Sequence, residues 1–232
     1  MDVFSAIADS LSQSDFLMGI DAKSHSSIFH RGNRIDVQSG ETVFSQGDPA
    51  RKCYFVLAGL IKLTKFHEQG KAVVVRYIKP GELTAAIAVF KENLYPVTAE
   101  AVGHSELVGW NKQAMVTLMA DYPQLAVNML GVAFDRLEDL QTRYLELFAE
   151  QVEKRIARAL LRIMRQSGRK TNEGILIDFP LSRHELAEYT GTTVYTVSRA
   201  LSAWEKKGWV ISRRERIIVS DPHALVLFTE NR

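Results

Sequence analysis

Residues 181–207, LSRHELAEYTGTTVYTVSRALSAWEKK, constrain this chain more than any other stretch, because they fit two short helices meeting at a tight corner. Ser182 followed three residues later by Glu185 is a capping box, in which each side chain satisfies a free N–H at a helix start. Gly191 ends that helix, since a residue without Cβ reverses the chain in the left-handed region at little cost. Thr193 caps a second helix that carries Val197, Ala200, Leu201 and Trp204 on one face at i, i+3, i+4, i+7 spacing. Ala187 allows close approach, Gly191 makes the corner and Val197 plugs the angle, which is the helix-turn-helix signature. The opposite face of the second helix offers Tyr195, Thr196, Ser198 and Arg199, polar groups of the kind that reach base edges; a structural corner gives no reason for that set.

Composition supports this reading through its distribution. The net charge of the 232 residues is +2, yet residues 148–232 hold 15 Lys and Arg against 10 Asp and Glu, a net +5, and the remainder is −3. A basic end that coincides with the corner motif suits phosphate contact. The N-terminus MDVFSAIADSLSQSDF lacks the basic start and apolar run of a secretory signal, and no stretch reaches the ~20 apolar residues of a membrane helix. A cytoplasmic protein without a membrane partner is expected. The one cysteine, Cys53, excludes an intrachain disulfide and a four-thiolate iron–sulfur cluster within the chain; in CYFVL it reads as a small buried hydrophobe.

Residues 1–30 suit one or two amphipathic helices burying Phe4, Ile7, Leu11, Phe16, Leu17 and Ile20. His25 and His30, five apart, match neither a helix face nor a zinc pair, and no metal site is expected. From Arg34 to Trp110 the pattern changes to ETVFS, CYFVL, LIKLTKF, AVVVRYI and ELVGW, separated by glycines at 40, 47, 59, 70 and 81, which predicts a compact antiparallel roll. Here SGETVFSQGDPARKCYFVLAGLIKL resembles the cyclic-nucleotide-binding β-roll, a resemblance that implies a small-ligand cavity.

Residues 121–165 then read as one long helical stretch with a bend near 148–151. Leu130, Leu137 and Tyr144 at heptad position a place Ala133, Leu140 and Leu147 at d, a seam for homodimerisation; Phe134 and Phe148 fall at e and could turn toward the roll. VEKRIARALLRIMRQSG buries Val152, Ile156, Leu160 and Ile163, RKTNEGILIDFP reads as a turn and a strand, and WVISRRERIIVSD as two strands joined at RRER. Arg213, Arg214 and Arg216 at that tip suit phosphates or a solvated hairpin equally well.

A β-roll, a long helix and a winged helix-turn-helix in that order resemble the CRP/FNR superfamily of bacterial transcription regulators, most specifically through LSRHELAEYTGTTVYTVSRAL, VEKRIARALL and the glycine framework from 40 to 81. The resemblance implies an α+β fold with three parts: an effector-sensing β-roll (1–120), a dimerisation helix (121–150) and a winged helix-turn-helix DNA-binding domain (151–232). It implies a non-enzymatic homodimer on a palindromic operator, with RNA polymerase as a partner if the protein activates. The alternative is a cyclic-nucleotide-responsive signalling protein. In the family, the arginine matching Arg199 commonly contacts guanine, and Ser182, Arg183 and Thr193 match phosphate anchors. Tyr195 stands where a glutamate usually reads cytosine and Val194 where an arginine occurs, so the usual half-site is not assumed.

The effector side departs further. Aligned on Phe90, the Gly-Glu pair of the phosphate-binding cassette falls on Ala85 and Ala86, its arginine falls at Val97 before Thr98, and Leu140 takes the place of a base-contacting hydroxyl. A buried cyclic phosphate without its arginine costs several kcal/mol, so cyclic AMP is not expected. What remains is an apolar effector pocket at Ala85, Ala86, Ile87, Val97, Thr98, Phe134 and Leu140. The segment including YPVTAEA resembles both the haem branch of the family and members that bind small aromatic acids. His67 and His104 are the nominal haem ligands, with surface histidines as the plainer account.

Overall fold

A computed structural model describes residues 11, 14–68, 71–91 and 93–230; Phe4, Ile7 and Gly70 lie outside these. The chain is α+β and divides into two compact units, residues 1–71 with 75–139, and residues 140–232 with 72–74.

In the first unit, α1 (Ala22–His30) precedes two four-stranded sheets. Their strands are β1 (Asn33–Val37), β2 (Thr42–Phe44), β3 (Lys52–Ala58), β4 (Ile61–Phe66), β5 (Ala72–Ile78), β6 (Leu83–Thr84), β7 (Thr98–Ala101) and β8 (Ser105–Asn111), in the orders β1-β8-β3-β6 and β2-β7-β4-β5. Strand β3 shows why both faces of its sheet are dry. Side chains alternate across a strand, so Cys53, Phe55 and Leu57 join a core with Phe16, Phe29 and Trp110, whereas Tyr54 and Val56 join a second core with Phe44, Tyr95 and Leu107. Phe55 packs 5.2 Å from Phe29 and 5.7 Å from Phe16, ring to ring, and the Trp110 indole donates to Ile28 O at 3.2 Å. The second core fills the inside of the roll, with Phe44 stacked on Tyr95 at 4.1 Å and on Tyr54 at 5.6 Å. Gly59 has φ +85°, and a Cβ there would come within 2.2 Å of Ser105 Oγ, so only glycine fits where the chain leaves β3 for the other sheet.

Three short strands, β1, β6 and β7, join those legible from sequence. Between β6 and β7 lies α2 (Ala86–Phe90), and after β8 come α3 (Lys112–Asp121) and α4 (Gln124–Ala149). The long helical stretch therefore starts at Gln124, after Pro123, and breaks at Glu150–Gln151, where Gln151 is extended at φ −62°, ψ 146°.

The second unit is built on α5 (Val152–Ser167), which buries Ile156, Ala157, Ala159, Leu160, Leu161 and Ile163; Val152 is half-buried. Around it lie β9 (Gly168–Thr171), β10 (Gly174–Ile177), α6 (Arg183–Thr190), α7 (Val194–Lys206), β11 (Val210–Arg213), β12 (Arg216–Val219) and α8 (Pro222–Glu230), with sheet order β11-β12-β10-β9. The expected single strand at 169–180 is instead a hairpin. Thr171 and Gly174 close it, with the Thr171 hydroxyl donating to Gly174 O at 2.9 Å.

Burial of Cys53 pushes its thiol up to about 12, because the thiolate would lose its hydration. Below the ordinary thiol value of ~8.5 this adds nothing, and stability falls as pH climbs from there toward 12. Folded protein at pH 8 should leave a thiol-specific disulfide reagent unreacted, and one equivalent should react after urea unfolding; absorbance of the released thiolate measures both.

Candidate nucleic-acid interface

Helix α6 begins at the expected capping box: Glu185 N donates to Ser182 Oγ at 3.1 Å, and Ser182 N to Glu185 Oε2 at 3.0 Å. It ends at Gly191 in the left-handed region (φ 63°, ψ 42°). Thr193 caps α7, its hydroxyl accepting from Thr196 N at 3.2 Å and sitting 2.9 Å from the Thr196 hydroxyl. Val197, Ala200, Leu201 and Trp204 are all buried, as is Ala187, so the corner is held by the face that the spacing marked.

The other face is open. Tyr195 is 71% exposed and Val194 40%, and Ser198 and Thr196 are half-buried. The Arg199 guanidinium lies 5.9 Å above the Tyr195 ring and 4.0 Å from Glu153 Oε1, with two thirds of its side chain exposed. An exposed pair at that separation is worth little, so Arg199 is steadied but not committed. Arg183, matched by resemblance to a phosphate anchor, reaches from α6 to strand β11, donating to Ser212 Oγ at 3.2 Å. Ser212 N donates to Glu205 Oε1 at 2.7 Å, which ties the same strand to α7. Arg213, Arg214 and Arg216 are exposed at the β11–β12 turn, where Glu215 takes φ 54°.

Sequence reasoning missed what holds the corner to the end of α4. Arg162 of α5 forms a two-pronged pair with the buried Glu146 at 2.6 and 3.0 Å. Burial works against the Arg162 charge, but Glu146 outweighs it, with help from Tyr189, and leaves the pKa raised. Arg158 pairs with Glu150 at 2.9 Å, and Arg143 lies 4.4 Å over the ring of Tyr189 on α6 while donating to its carbonyl at 3.1 Å. The sequence signal was the i, i+3, i+7 spacing of Arg155, Arg158 and Arg162 along α5.

Along α4 the seam residues are bare. Leu130, Leu137, Leu140, Tyr144 and Leu147 are between 50 and 62% exposed, and Ala133 is half-buried. Phe134 and Phe148 are more exposed still, and Phe148 rests on Tyr144 at 4.7 Å. The expected effector residues do not assemble as one set. Ala86 and Ile87 line an apolar groove against the first half of α4, with Leu130 and Ala133. Ala85 and Val97 instead pack against the core inside the roll, and Thr98 turns its hydroxyl to Gln46 N at 3.0 Å. Phe134 is not in that lining, and Leu140 belongs to the second unit. Val97, just before β7, and Ala99 within it both face the core inside the roll, whereas Ala86 and Ile87 lie on α2. Ala85 itself has φ 63°, a conformation favouring glycine.

Neither nominal haem ligand lines the groove: His104 closes on Asp36 at 2.9 Å on the surface, and His67 follows the end of β4. His30 Nδ1 is within 2.6 Å of Ser26 O. The residues present do not fit a histidine-ligated haem there. Among the described residues no cluster of His, Cys, Asp and Glu could hold a metal ion, and no helix is long and apolar enough to cross a membrane.

Two family models match the chain, the cyclic nucleotide-binding domain over residues 34–122 and the Crp-like helix-turn-helix domain over 154–228. The chain is similar to the cyclic AMP receptor protein of Thermus thermophilus, 30% identical over 171 residues, which is 74% of this chain and 76% of that protein. It is 21% identical to the CRP-like cAMP-activated global transcriptional regulator of Mycobacterium tuberculosis over 93% of this chain and 96% of that one. The solved structure of FixK2 from Bradyrhizobium japonicum superposes with a TM-score of 0.73 at 20% identity, covering 84% of this chain and 96% of that chain.

Removing one partner of a buried ion pair strands the other. Glu146→Ala should therefore cost about 3–5 kcal/mol, whereas Glu153→Ala, at an exposed pair, should stay within about 0.5 kcal/mol. Urea unfolding curves of the two variants check this.

Proposed function

We propose, from the premise that the chain belongs to the CRP/FNR superfamily of transcription regulators, that it binds a palindromic operator as a homodimer and answers a small effector other than cyclic AMP. DNA-binding transcription regulation, rather than enzymatic activity, is the function of its relatives and of this chain. The observation that carries the finer reading is α7, whose apolar face is wholly buried while Tyr195 and Arg199 stand out on the other.

Laid in a major groove, α7 presents Arg199 to guanine O6 and N7, which a guanidinium can bond twice. Tyr195 and Val194 offer apolar edges where glutamate and arginine occur in other members, which suits the methyl group of thymine rather than cytosine. Ser182, Arg183 and Thr193 at the helix starts suit phosphates, since free N–H groups and the helix dipole favour anions there; Ser198 and Thr196 flank the reading face. A dimer about the α4 seam places two such helices in successive grooves, with half-sites ~34 Å apart. The seam supports this by exposing Leu130, Leu137, Leu140, Tyr144 and Leu147 on one helix. RNA polymerase is a partner if the regulator activates, and the cytoplasm is where it meets DNA.

Two relatives carry cyclic AMP in their names, and the match at 34–122 favours a cyclic nucleotide as the second reading. Against it stand Ala85, Ala86 and Val97 in place of the phosphate-binding groups, and a roll interior occupied by Phe44, Tyr54 and Tyr95. Effector binding would shift the population between DNA-competent and incompetent arrangements of the two α7 helices.

Arg199→Ala should lose about 1–3 kcal/mol of operator binding and relax one G·C position. Titration against operators carrying each base at each position measures it, and unchanged discrimination removes Arg199 from base reading. In the same assay, replacing thymine by uracil should weaken the wild type at the Tyr195 position and leave Tyr195→Ala indifferent. Leu137→Asp should turn the dimer into a monomer in sedimentation equilibrium, because it puts a charge in the middle of the seam.

A further inference from the structure

An apolar groove of about 410 Å³ opens between α2, α3 and the first half of α4, with Phe16, Phe90, Met119, Met129 and Leu130 in its walls. That is the size of site that takes a small organic molecule, ~300–1,000 Å³, and two thioethers give it adaptable sides. One wall is not apolar. Arg136 of α4 reaches across it, its Nη2 donating to Leu83 O and its Nε buried with no hydrogen-bond partner. Lys91 stands at another edge.

Of the carboxylates around Arg136, one is committed to other groups and two stand in solvent. Behind it lies a small polar cleft lined by Asp15, Arg76, Glu82 and Asp135. Glu82 is fully engaged, with Oε1 taken by Arg76 Nη2 at 2.6 Å and Oε2 by Lys79 N at 3.0 Å. Asp15 and Asp135 are exposed, and among the described residues no carboxylate is paired with Arg136. Burial, and then the neighbouring Arg76, outweigh the attraction of Glu82 and pull the Arg136 guanidinium down to about 10, so its charge stands in a place that penalises it. An anion arriving from the groove would relieve that penalty.

We propose that this groove binds a small carboxylic acid with an apolar body, the carboxylate on Arg136 and the body among Phe16, Phe90 and the two methionines, and that this acid is the effector. The inference rests on the regulator reading above and names the ligand class that reading leaves open. It also supplies a route to the DNA. Leu130 and Ala133 belong at once to the groove wall and to the proposed dimer seam, so a body that pushes on them acts on the seam.

The test uses the full chain and a matched pair of probes, 2-naphthoate and 2-naphthamide, which share shape and differ in charge, with affinities from isothermal titration calorimetry. The acid should bind about tenfold or more tightly than the amide, the difference between a charge-assisted and an ordinary hydrogen bond. Arg136→Gln should erase that difference, and Ala126→Phe, which fills the groove from α4 without touching the seam or Arg136, should abolish binding of both. Naphthoate should also change operator affinity. Equal affinities for acid and amide, no binding of either, or binding indifferent to Ala126→Phe would overturn the proposal. So would an absence of binding together with monomers formed by Ile87→Glu, which would assign the groove to a second copy of the chain. Sequence-specific DNA binding by the unliganded wild type, measured alongside, tells whether the regulator reading stands when the ligand proposal falls.

Discussion

A buried ion pair with one permitted geometry, Arg162 with Glu146, fixes the last turns of α4 against the DNA-binding module. Such a pair is a poor source of net stability, since an apolar pair of the same shape does as well. What it provides is direction: the guanidinium fork donates to a carboxylate in one plane, so α4 cannot roll or slide on α5 without breaking it. Arg158 with Glu150 and Arg143 on Tyr189 repeat the constraint on either side. Because Tyr189 lies on α6 and a Cβ at Gly191 would sit 3.5 Å from Leu147, the end of the seam and the corner of the helix-turn-helix are one packed body. In the proposed dimer, a shift at this end of α4 would therefore reach α7 through hard contacts rather than through a flexible link.

The parts of this arrangement that were legible in the sequence are those set by local chemistry. A capping box needs only residues 182 and 185, a left-handed corner needs only glycine, and the unbroken apolar run CYFVL marks a strand buried on both faces. The break at Glu150–Gln151 falls within the bend expected near 148–151. What stayed hidden depends on distant partners. Nothing near Arg136, Arg143 and Arg162 in the chain says that they are covered, and the bond from Arg183 to Ser212 spans 29 positions. The two-residue strand β6 and the hairpin at 168–177 are too short to leave a period.

The effector side shows the same division. That Ala85, Ala86 and Val97 stand where phosphate-binding groups are expected follows from the resemblance alone. Where the remaining apolar residues would go does not, because the places of β7 and α2 in the fold decide which of them face the roll interior and which face α4. The interior is occupied by stacked rings, and the open apolar surface lies outside it. The scaffold thus keeps the corner of its helix-turn-helix, packs aromatic rings inside its roll, and leaves an apolar groove against α4.

The most direct measurement is selection of bound sequences from random duplex DNA by the purified full-length protein, with the protein-to-DNA stoichiometry determined on the winners. The account predicts a dyad-symmetric site, half-site centres about one helical turn apart, guanine at a fixed place in each half, and two protomers on each duplex. Enrichment of no sequence, with affinity following salt alone, or a single protomer on an asymmetric site, would contradict it.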